Sequence, residues 1–522
     1  MKQSNLLVPN VENTINDEEA ASSLLIEGGF LGEYQENRYV FLPLGMLVME
    51  KIKKIVLEEL HSLSAIEFQL PVAVADQGET YLLQLLTEGQ LATSRELLNI
   101  FQIQVKVEQN KEYQFPGGIA LEPTELDGYS FHSASTELSE VFHRFEQAFQ
   151  RILARCQLEY KSVIALPQKA IHKEIKDLLA ISSAGKTIFC ESTQGDYSAK
   201  VEAATRYSLV KKSHATFLPL ERKIPATGFK LDDGNQLTCY FLRASKKPIL
   251  LFLAKNDRLN LAKISQKMQH KVVEIKKQEV EKYFGISYEL FSFDLISPDW
   301  IILADLEVEN RTNMTMMNPD EASYYENINL GRDLPNVSFG DFSYVQEGDL
   351  APDGKGTLLF KKGVKIGQFM KKMIAQKTSD TANEEEKKVY IGHYQLSLSL
   401  LFLMIAKQHH KNGHLNWPEE VAPFDLHILP IDYQNSYQQA LAQEVEEMMV
   451  AKGYEVLIDD RDSSLEEKQK DADLISCPVE IVIGEKAVEG VVEIKIRASQ
   501  AVVEVRKEEL ADTLAILLQT TE

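Results

Sequence analysis

The chain has 522 residues, 44% of them hydrophobic and 26% charged, with 56 Lys or Arg against 78 Asp or Glu and a net charge of −22. That length suggests about three or four domains with ample core. The acidity disfavours a general coat for nucleic acid or anionic membrane and leaves room only for a local basic groove.

Four scattered cysteines (Cys156, Cys190, Cys239, Cys477) form no CxxC pair, which argues for reduced thiols in a cytoplasmic protein rather than a disulfide frame or zinc site. The longest apolar stretch, 396–406, is far short of the ~18 residues that a membrane helix needs. The polar, acidic start does not read as a secretory signal.

Residues 1–186 read as one α+β unit. Val48, Ile52, Ile55, Val56, Leu60 and Leu63 fall at near-helical spacing with lysines between them, which predicts a helix over 48–63. A short strand is expected over 68–75, a strand end at Gly128 to Phe131 and an amphipathic helix over 136–153. From about residue 184 the texture changes to short strand-like runs at 187–190, 237–242 and 248–254, followed by a lysine-rich helical stretch over 261–284. Residues 341–363 are rich in Asp and Gly and read as turns, and 378–388 is a charged surface loop. After Trp417-Pro418, strands at 426–430, 455–458 and 479–483 alternate with a helix at 436–452, which predicts a small α/β domain with a mostly parallel sheet.

Local motifs carry little chemistry. Ser183 to Thr187 (SAGKT) resembles the end of a phosphate loop, but Ala180 stands where that loop needs glycine. His409, His410 and His414 have the composition of a metal site, yet Asn412-Gly413 breaks the helix that would align them. Asp459 to Asp462 (DDRD) reads as an acidic turn rather than a cation site, and 384–388 reads as a solvated charge run.

The long-range pattern says more. Tyr39 to Gly45 (YVFLPLG), the helix, and Glu67 to Pro71 (EFQLP) resemble motif 1 of a class II aminoacyl-tRNA synthetase of the bacterial prolyl type. Phe101 to Gln104 and Asp127 to His132 resemble the ends of motif 2. Phe189 to Ala203 resembles the entry to the family's inserted editing domain. Asn329 to Asp333, Asp349 to Thr357, Asn416 to Phe424, Asp459 to Arg461 and Lys470 to Ile475 continue the match in order. The resemblance implies an α+β fold: a class II antiparallel-sheet core, an inserted α+β editing-like domain and a C-terminal α/β anticodon-binding-like domain. The expected limits are 1–186 and 311–420 for the core, 187–310 for the insertion and 421–522 for the last domain.

The same comparison counts against ordinary catalysis. Proline activation builds charge on the α-phosphate of ATP, which the family meets with arginines and magnesium. Glu108 stands where the first motif 2 arginine is expected, and Asn110 replaces its acidic neighbour. Glu112, Gln114, Ile119 and Leu121 replace loop arginines. Leu400 replaces the motif 3 arginine, and Gln395 and Ser397 replace glycines that let the backbone approach a nucleotide. Losing one such arginine can cost ~10³-fold, so losing several implies no adenylate formation.

Gln368 replaces a histidine-containing stretch at the amino-acid pocket, and the loop that reads proline is not recognisable around Thr87-Glu88. Thr238 stands at the editing lysine's position, and that site's glycine-and-proline loop is not evident near Gly285. Residues 421–522 hold 9 Lys or Arg against 22 Asp or Glu, a net charge of −13. With Ser463 to Gln469 and Glu480 where the family is basic or neutral, this implies weak or absent tRNA binding. Pro43, Leu44, Gly45 and Pro71 keep the motif 1 pattern that forms the two-fold interface of class II synthetases, which implies a homodimer; the competing reading makes them core residues.

Three functions follow. The leading one is a catalytically inactive prolyl-tRNA synthetase-like protein, acting as a dimeric binding or regulatory protein and pairing with itself or with a true synthetase. It has no cofactor, no metal, no DNA and no membrane. The second is a working proline–tRNA ligase using ATP and Mg, with Arg95 or Arg332 compensating. The third is a repurposed small-molecule pocket, which requires an apolar cavity near Leu121, Tyr129 and Leu400.

Overall fold

The computed structural model describes residues 1–7, 20–71, 78–87, 98–106, 119–167, 169, 171–208, 210, 213, 215–226, 233–319, 321–334, 336–377, 386–411 and 413–519. Helix α1 (Ala20–Glu27) leads into the hairpin β1 (Leu31–Gln35) and β2 (Arg38–Phe41), and α2 (Pro43–Ser62) follows at once. Pro43 suits the first helical position, where its missing N–H has no helical partner. α2 buries Leu44, Val48, Ile52, Ile55, Val56 and Leu60, the stripe its spacing predicts. Gly45 is required by a close approach: a Cβ there would lie 2.2 Å from the Phe30 carbonyl oxygen.

The chain continues through β3 (Ile66–Glu67), α3 (Gly78–Thr87), β4 (Leu98–Val105), β5 (Thr124–His132), α4 (Ser135–Arg155), β6 (Tyr160–Ala165), β7 (His172–Ile181), β8 (Thr187–Ser192) and β9 (Ser198–Lys200). Then come β10 (Glu221–Lys223), β11 (Gln236–Ala244), β12 (Lys247–Ala254), α5 (Leu261–Met268), β13 (Val272–Glu274), α6 (Val280–Phe284), β14 (Ile301–Asp305), α7 (Leu306–Glu309), β15 (Met314–Met317), β16 (Tyr324–Ile328), α8 (Leu330–Asp333) and β17 (Ser338–Gly340). The core resumes with β18 (Leu358–Lys377), β19 (Glu386–Ser397) and α9 (Leu398–Gln408). The small hairpin β20 (His410–Lys411) and β21 (His414–Leu415) follows. The last domain holds β22 (Leu426–Pro430), α10 (Ser436–Ala451), β23 (Val456–Ile458), α11 (Leu465–Ile475), β24 (Val479–Ile483), β25 (Val491–Ile496), β26 (Ala501–Arg506) and α12 (Leu510–Gln519).

The core sheet has nine strands in the order β3-β4-β5-β19-β18-β7-β6-β9-β8, with β18 also pairing β8. One face is apolar and packs on α2, α4 and α9 through a single large cluster. At its centre Tyr394 stacks on Phe145 at 3.8 Å, with Phe142, Phe149 and Phe369 edge-on or tilted around them.

Sheet membership moves both expected limits of the insertion. β8 and β9 belong to the core sheet, whereas β15, β16 and β17 belong to the insertion's own sheet, ordered β10-β16-β15-β11-β12-β14-β17. The insertion sheet therefore runs from Glu221 to Gly340, because β8 finds its partner in Leu358 to Gly363, far along the chain. The lysine-rich stretch is not one helix: Gln269 turns left-handed (φ 53°) at the end of α5, and β13 then pairs β11.

Three smaller expectations also change. The strand expected over 68–75 is not formed at 68–71, which follow the two-residue β3, and 72–75 lie outside the described residues. The turn-rich segment 341–363 ends in β18, whose first residues pair with β8. In the charged run near 384–388, residues 378–385 are outside the described residues, and Glu386 to Lys388 pair with Ala375 to Lys377 as strand. SAGKT closes a tight turn, in which a Cβ on Gly185 would sit 2.4 Å from the Gly363 backbone.

The C-terminal sheet, β23-β22-β24-β25-β26, is mixed rather than mostly parallel: β22 runs parallel to β23 and β24, and β25 antiparallel to β24 and β26. The first residues of the chain reach this sheet. Lys2 bridges Ile458, Ser4 bonds Asp460 through its N–H (2.9 Å) and Oγ (2.7 Å), and buried His427 bonds the Gln3 side chain at 2.9 Å. No helix among the described residues is long and apolar enough to cross a membrane.

Candidate active site

Strand alternation builds the site. Phe101 and Ile103 of β4 turn to the helices, which leaves Ile100, Gln102 and Gln104 on the opposite face of the sheet. β5 adds Asp127, Tyr129 and Phe131 to that face, β19 adds Ile391, His393 and Gln395, β18 adds Gln368 and Lys372, and β7 adds Asp177. Two carboxylates anchor this floor, Asp127 at 1% exposure and Asp177 at 2%.

Asp127 meets Lys106 at 2.9 Å, the Gln395 amide at 2.9 Å and His393 Nε2 at 3.4 Å. Asp177 meets the Gln368 amide at 2.7 Å, Lys365 at 2.9 Å and Lys200 at 3.4 Å. Lys372 pairs with Glu79 of α3 and lies 3.3 Å from His393 Nδ1. The His393 ring stacks on Tyr129 at 4.6 Å.

Burial pushes the His393 pKa down, so the ring is neutral near pH 7. One tautomer then satisfies both neighbours: Nδ1 accepts from Lys372 and Nε2–H donates to Asp127. The result is a continuous chain from Glu79 through Lys372, His393 and Asp127 to Lys106. Its charges are spent on one another, so this chain of side chains, among the described residues, offers no surplus cation to a phosphate. None of the nine core strands contains an arginine, nor does the segment from Phe101 to His132. Among the described residues, Gln102 Nε2 and both ends of the Gln104 amide are buried there without a hydrogen-bond partner.

The expected site residues fall in several places. Glu108, Asn110, Glu112, Gln114, Glu88 and Arg95 lie outside the described residues. Ile119 (1% exposed) and Leu121 (5%) are packed in the main core, and Leu400 sits half-buried against that core at the start of α9. Tyr129 belongs to a separate cluster with Leu82, Ile100, Phe131 and Ile391. The cavity expected between Leu121, Tyr129 and Leu400 is therefore split by the sheet, and cavities of 610, 690 and 320 Å³ are all lined by other residues.

Gln395 projects onto the floor as Asp127's partner, and Ser397 caps α9 by accepting from the Leu400 N–H. Thr238 is half-buried in β11 opposite Leu253. Gly285 ends α6 in a left-handed turn. The hydrogen bonds of Arg332 stay within the insertion, to Asp333, Leu218 and Asn327.

Of the motif 1 residues, Leu44 and Gly45 are buried by their own chain, Pro43 is half-buried and Pro71 is exposed. The three histidines assemble no metal site; no group of three or more His, Cys, Asp or Glu among the described residues could hold a metal. In the acidic turn, Arg461 binds Asp459 and Asp471, which leaves no cation cage. Sequence reasoning missed the Lys106–Asp127 and Lys372–Glu79 pairs. Alternating Gln102 and Gln104 among apolar neighbours was the available signal for a polar face.

Ser464 caps α11 in a capping box with Glu467. Lys468, a cation of that segment, is turned inward onto the Pro430 carbonyl at 2.9 Å. Glu480 is held by Arg497.

Comparison with known proteins agrees with this architecture. Residues 425–516 match the family model "Anticodon binding domain". The chain is 30% identical to the proline–tRNA ligase of Ligilactobacillus salivarius (strain UCC118), over 100% of both chains, and 30% identical to that of Levilactobacillus brevis, over 99% of this chain and 100% of that one. The crystal structure of prolyl-tRNA synthetase from Cryptosporidium parvum complexed with L-proline and AMP superposes with a TM-score of 0.53 at 11% identity, covering 96% of this chain and 78% of that one. The fold is that of a class II aminoacyl-tRNA synthetase. Within that class, the chain belongs to the proline–tRNA ligase family.

Proposed function

We propose that this chain is a prolyl-tRNA synthetase-like protein that does not activate proline and acts instead as a dimeric binding or regulatory protein. The observation that carries the reading is the arginine-free core sheet, together with Ile119, Leu121 and Leu400 packed into apolar core at positions where the family resemblance calls for arginine. A pentavalent phosphorus flanked by ion-paired lysines and leucines gains little transition-state stabilisation. Gln395 also fills floor space that the family keeps as glycine.

The test is proline-dependent ATP–pyrophosphate exchange. The expected rate is at least ~10³-fold below that of a proline–tRNA ligase relative assayed beside it. Exchange at a comparable rate overturns the reading and installs the second one, a working ligase using ATP and Mg. That alternative draws support from the full-length match at 30% identity, and it requires a different motif 2 register with an arginine such as Arg95 supplying the missing charge, since 101–132 holds none and Arg332 is bonded to Asp333, Leu218 and Asn327.

The dimer rests on exposed apolar side chains along consecutive elements: Tyr34 and Val40 of the hairpin, Met46 of α2 and Ile66 of β3, which is the terminal strand of the core sheet. Sedimentation equilibrium is expected to give twice the 59.1 kDa chain mass. A monomer at micromolar concentration removes the dimer and leaves the question of catalysis untouched.

A further inference from the structure

A cleft separates the core from the C-terminal domain. One end, about 610 Å³, has an apolar wall of Trp417, Pro418, Pro478, Ile496 and Leu518, and Arg155, Glu419 and Glu420 also line it. The other, about 690 Å³, is bounded by His410, Lys411, His414, Arg497 and Gln500. His409, Asn416, Arg497 and Ala498 line both ends, so the two are continuous.

The polar end is lined by no carboxylate, an exception in a chain of net charge −22. Lys411 makes no ion pair among the described residues. His409 Nε2 lies 2.8 Å from the Gln157 carbonyl and His410 Nδ1 lies 2.7 Å from that of Lys407. Each ring donates to that carbonyl through one nitrogen and leaves the other toward the cleft, where it is an acceptor in the neutral ring and a donor to phosphate oxygen in the imidazolium form. At the apolar end, Trp417 is 5% exposed and its indole N–H is buried without a hydrogen-bond partner, a donor left unsatisfied at a cost.

We propose that this cleft binds a small phosphate ester with a flat apolar body. The phosphate sits among Lys411, His410 and His414, and the body lies against Trp417, Ile496 and Leu518. A carboxylate is best matched by an arginine fork, and the fork of Arg497 is already taken by Asp473 at 3.1 Å and Glu480 at 2.5 Å. What remains is the Lys411 ammonium, the Asn416 and Gln500 amides and the histidine rings in their imidazolium form, single-point donors on separate side chains that suit the three spread oxygens of a phosphate. The apolar end distinguishes an ester from free phosphate. The site lies outside the sheet floor, so it does not depend on whether the chain activates proline.

The test is calorimetric titration of the full chain with phenyl phosphate and, separately, with inorganic phosphate. Phenyl phosphate is expected to bind saturably and about tenfold more tightly than inorganic phosphate, the difference expected from covering part of an aromatic ring. Lys411→Glu and His410→Ala, both on the short β20–β21 hairpin and its start, are expected to weaken both probes by about tenfold or more. Leu518→Ser is expected to weaken phenyl phosphate alone, and thermal melts identify any variant that fails to fold. If Lys411→Glu melts early, Gln500→Glu places the same repulsive charge from the opposite wall. Equal affinity for the two probes overturns the apolar half of the proposal. Absence of saturable binding, or binding indifferent to the charge reversals, overturns the site.

Discussion

Asp127→Ala is expected to lower the stability of the core by about 3–5 kcal/mol, the usual cost of stranding one partner of a buried charge pair. Asp127 is 1% exposed and faces Lys106, which is itself largely covered. Burial pushes its carboxyl up. The hydrogen bond from His393, the charge of Lys106 and the Gln395 amide outweigh that and hold it well below the usual carboxylate range. Burial likewise works against the Lys106 ammonium, and Asp127 and Glu125 restore it with a net upward shift. Removing the aspartate therefore leaves a desolvated ammonium with Glu125 as its remaining partner, and it takes the acceptor from His393 Nε2 and Gln395.

Urea unfolding of native chain and variant measures the effect. The double variant Asp127→Ala with Lys106→Met is expected to recover a good part of the loss, because replacing a whole buried pair by apolar groups is far milder than breaking it. A loss below ~1 kcal/mol for the single variant would mean that the pair is hydrated and that the floor is not the closed network the distances describe. The sign with pH follows: the folded pKa lies below the unfolded one, so this stabilisation is complete above about pH 4 and disappears as pH falls further.

The second large effect is an acid sensitivity seated in the C-terminal domain. His427 is fully buried in β22, and its pKa is pushed down to about 3. Burial is the first cause; Arg461, Arg497 and Lys468 act in the same direction, and Asp459 opposes them. Nε2 bonds the Gln3 side chain and Nδ1 has no partner, so a second proton would be both uncompensated and unsolvated. The folded state stays neutral while the unfolded imidazole titrates near pH 6.5. Stability from this group is therefore complete above about pH 6.5 and falls as the pH drops toward 3, by of the order of 5 kcal/mol at the limit.

His132, lowered to about 4 by burial with Glu137 opposing, adds a smaller term of the same sign in the core. Unfolding of the native chain is expected to ease steadily between pH 6.5 and 4, and the slope is expected to flatten in His427→Leu. An imidazole resonance of His427 titrating near 6.5 in the folded protein would remove this account.

Much of the fold was legible in one dimension. The apolar stripe of α2, the helices α4 and α10 and the strands β11, β12, β22 and β24 follow from periodicity, because local burial patterns repeat at the period of the backbone. The order of motif-like segments carried the class II architecture. The absence of arginine from 101–132 and 392–400 was written in the residue types themselves, as was the acidity of the last domain.

Tertiary structure decided the rest. Sequence placed the insertion at 187–310, but hydrogen bonding gives β8 and β9 to the core sheet and β15 to β17 to the insertion, since a strand's partner lies anywhere along the chain. Leu121, Leu400 and Tyr129 looked like one pocket and lie in two clusters: Tyr129 projects from β5 away from the helices, whereas Leu121, just before β5, and Leu400, on α9, pack into the core on the helix side. Glu79 and Lys372, separated by 293 positions, could be paired only by the fold. So could the two ends of the interdomain cleft, whose walls come from segments with no sequence relation to one another. Residue types set which charges exist; the packing of strands on strands set which of them cancel.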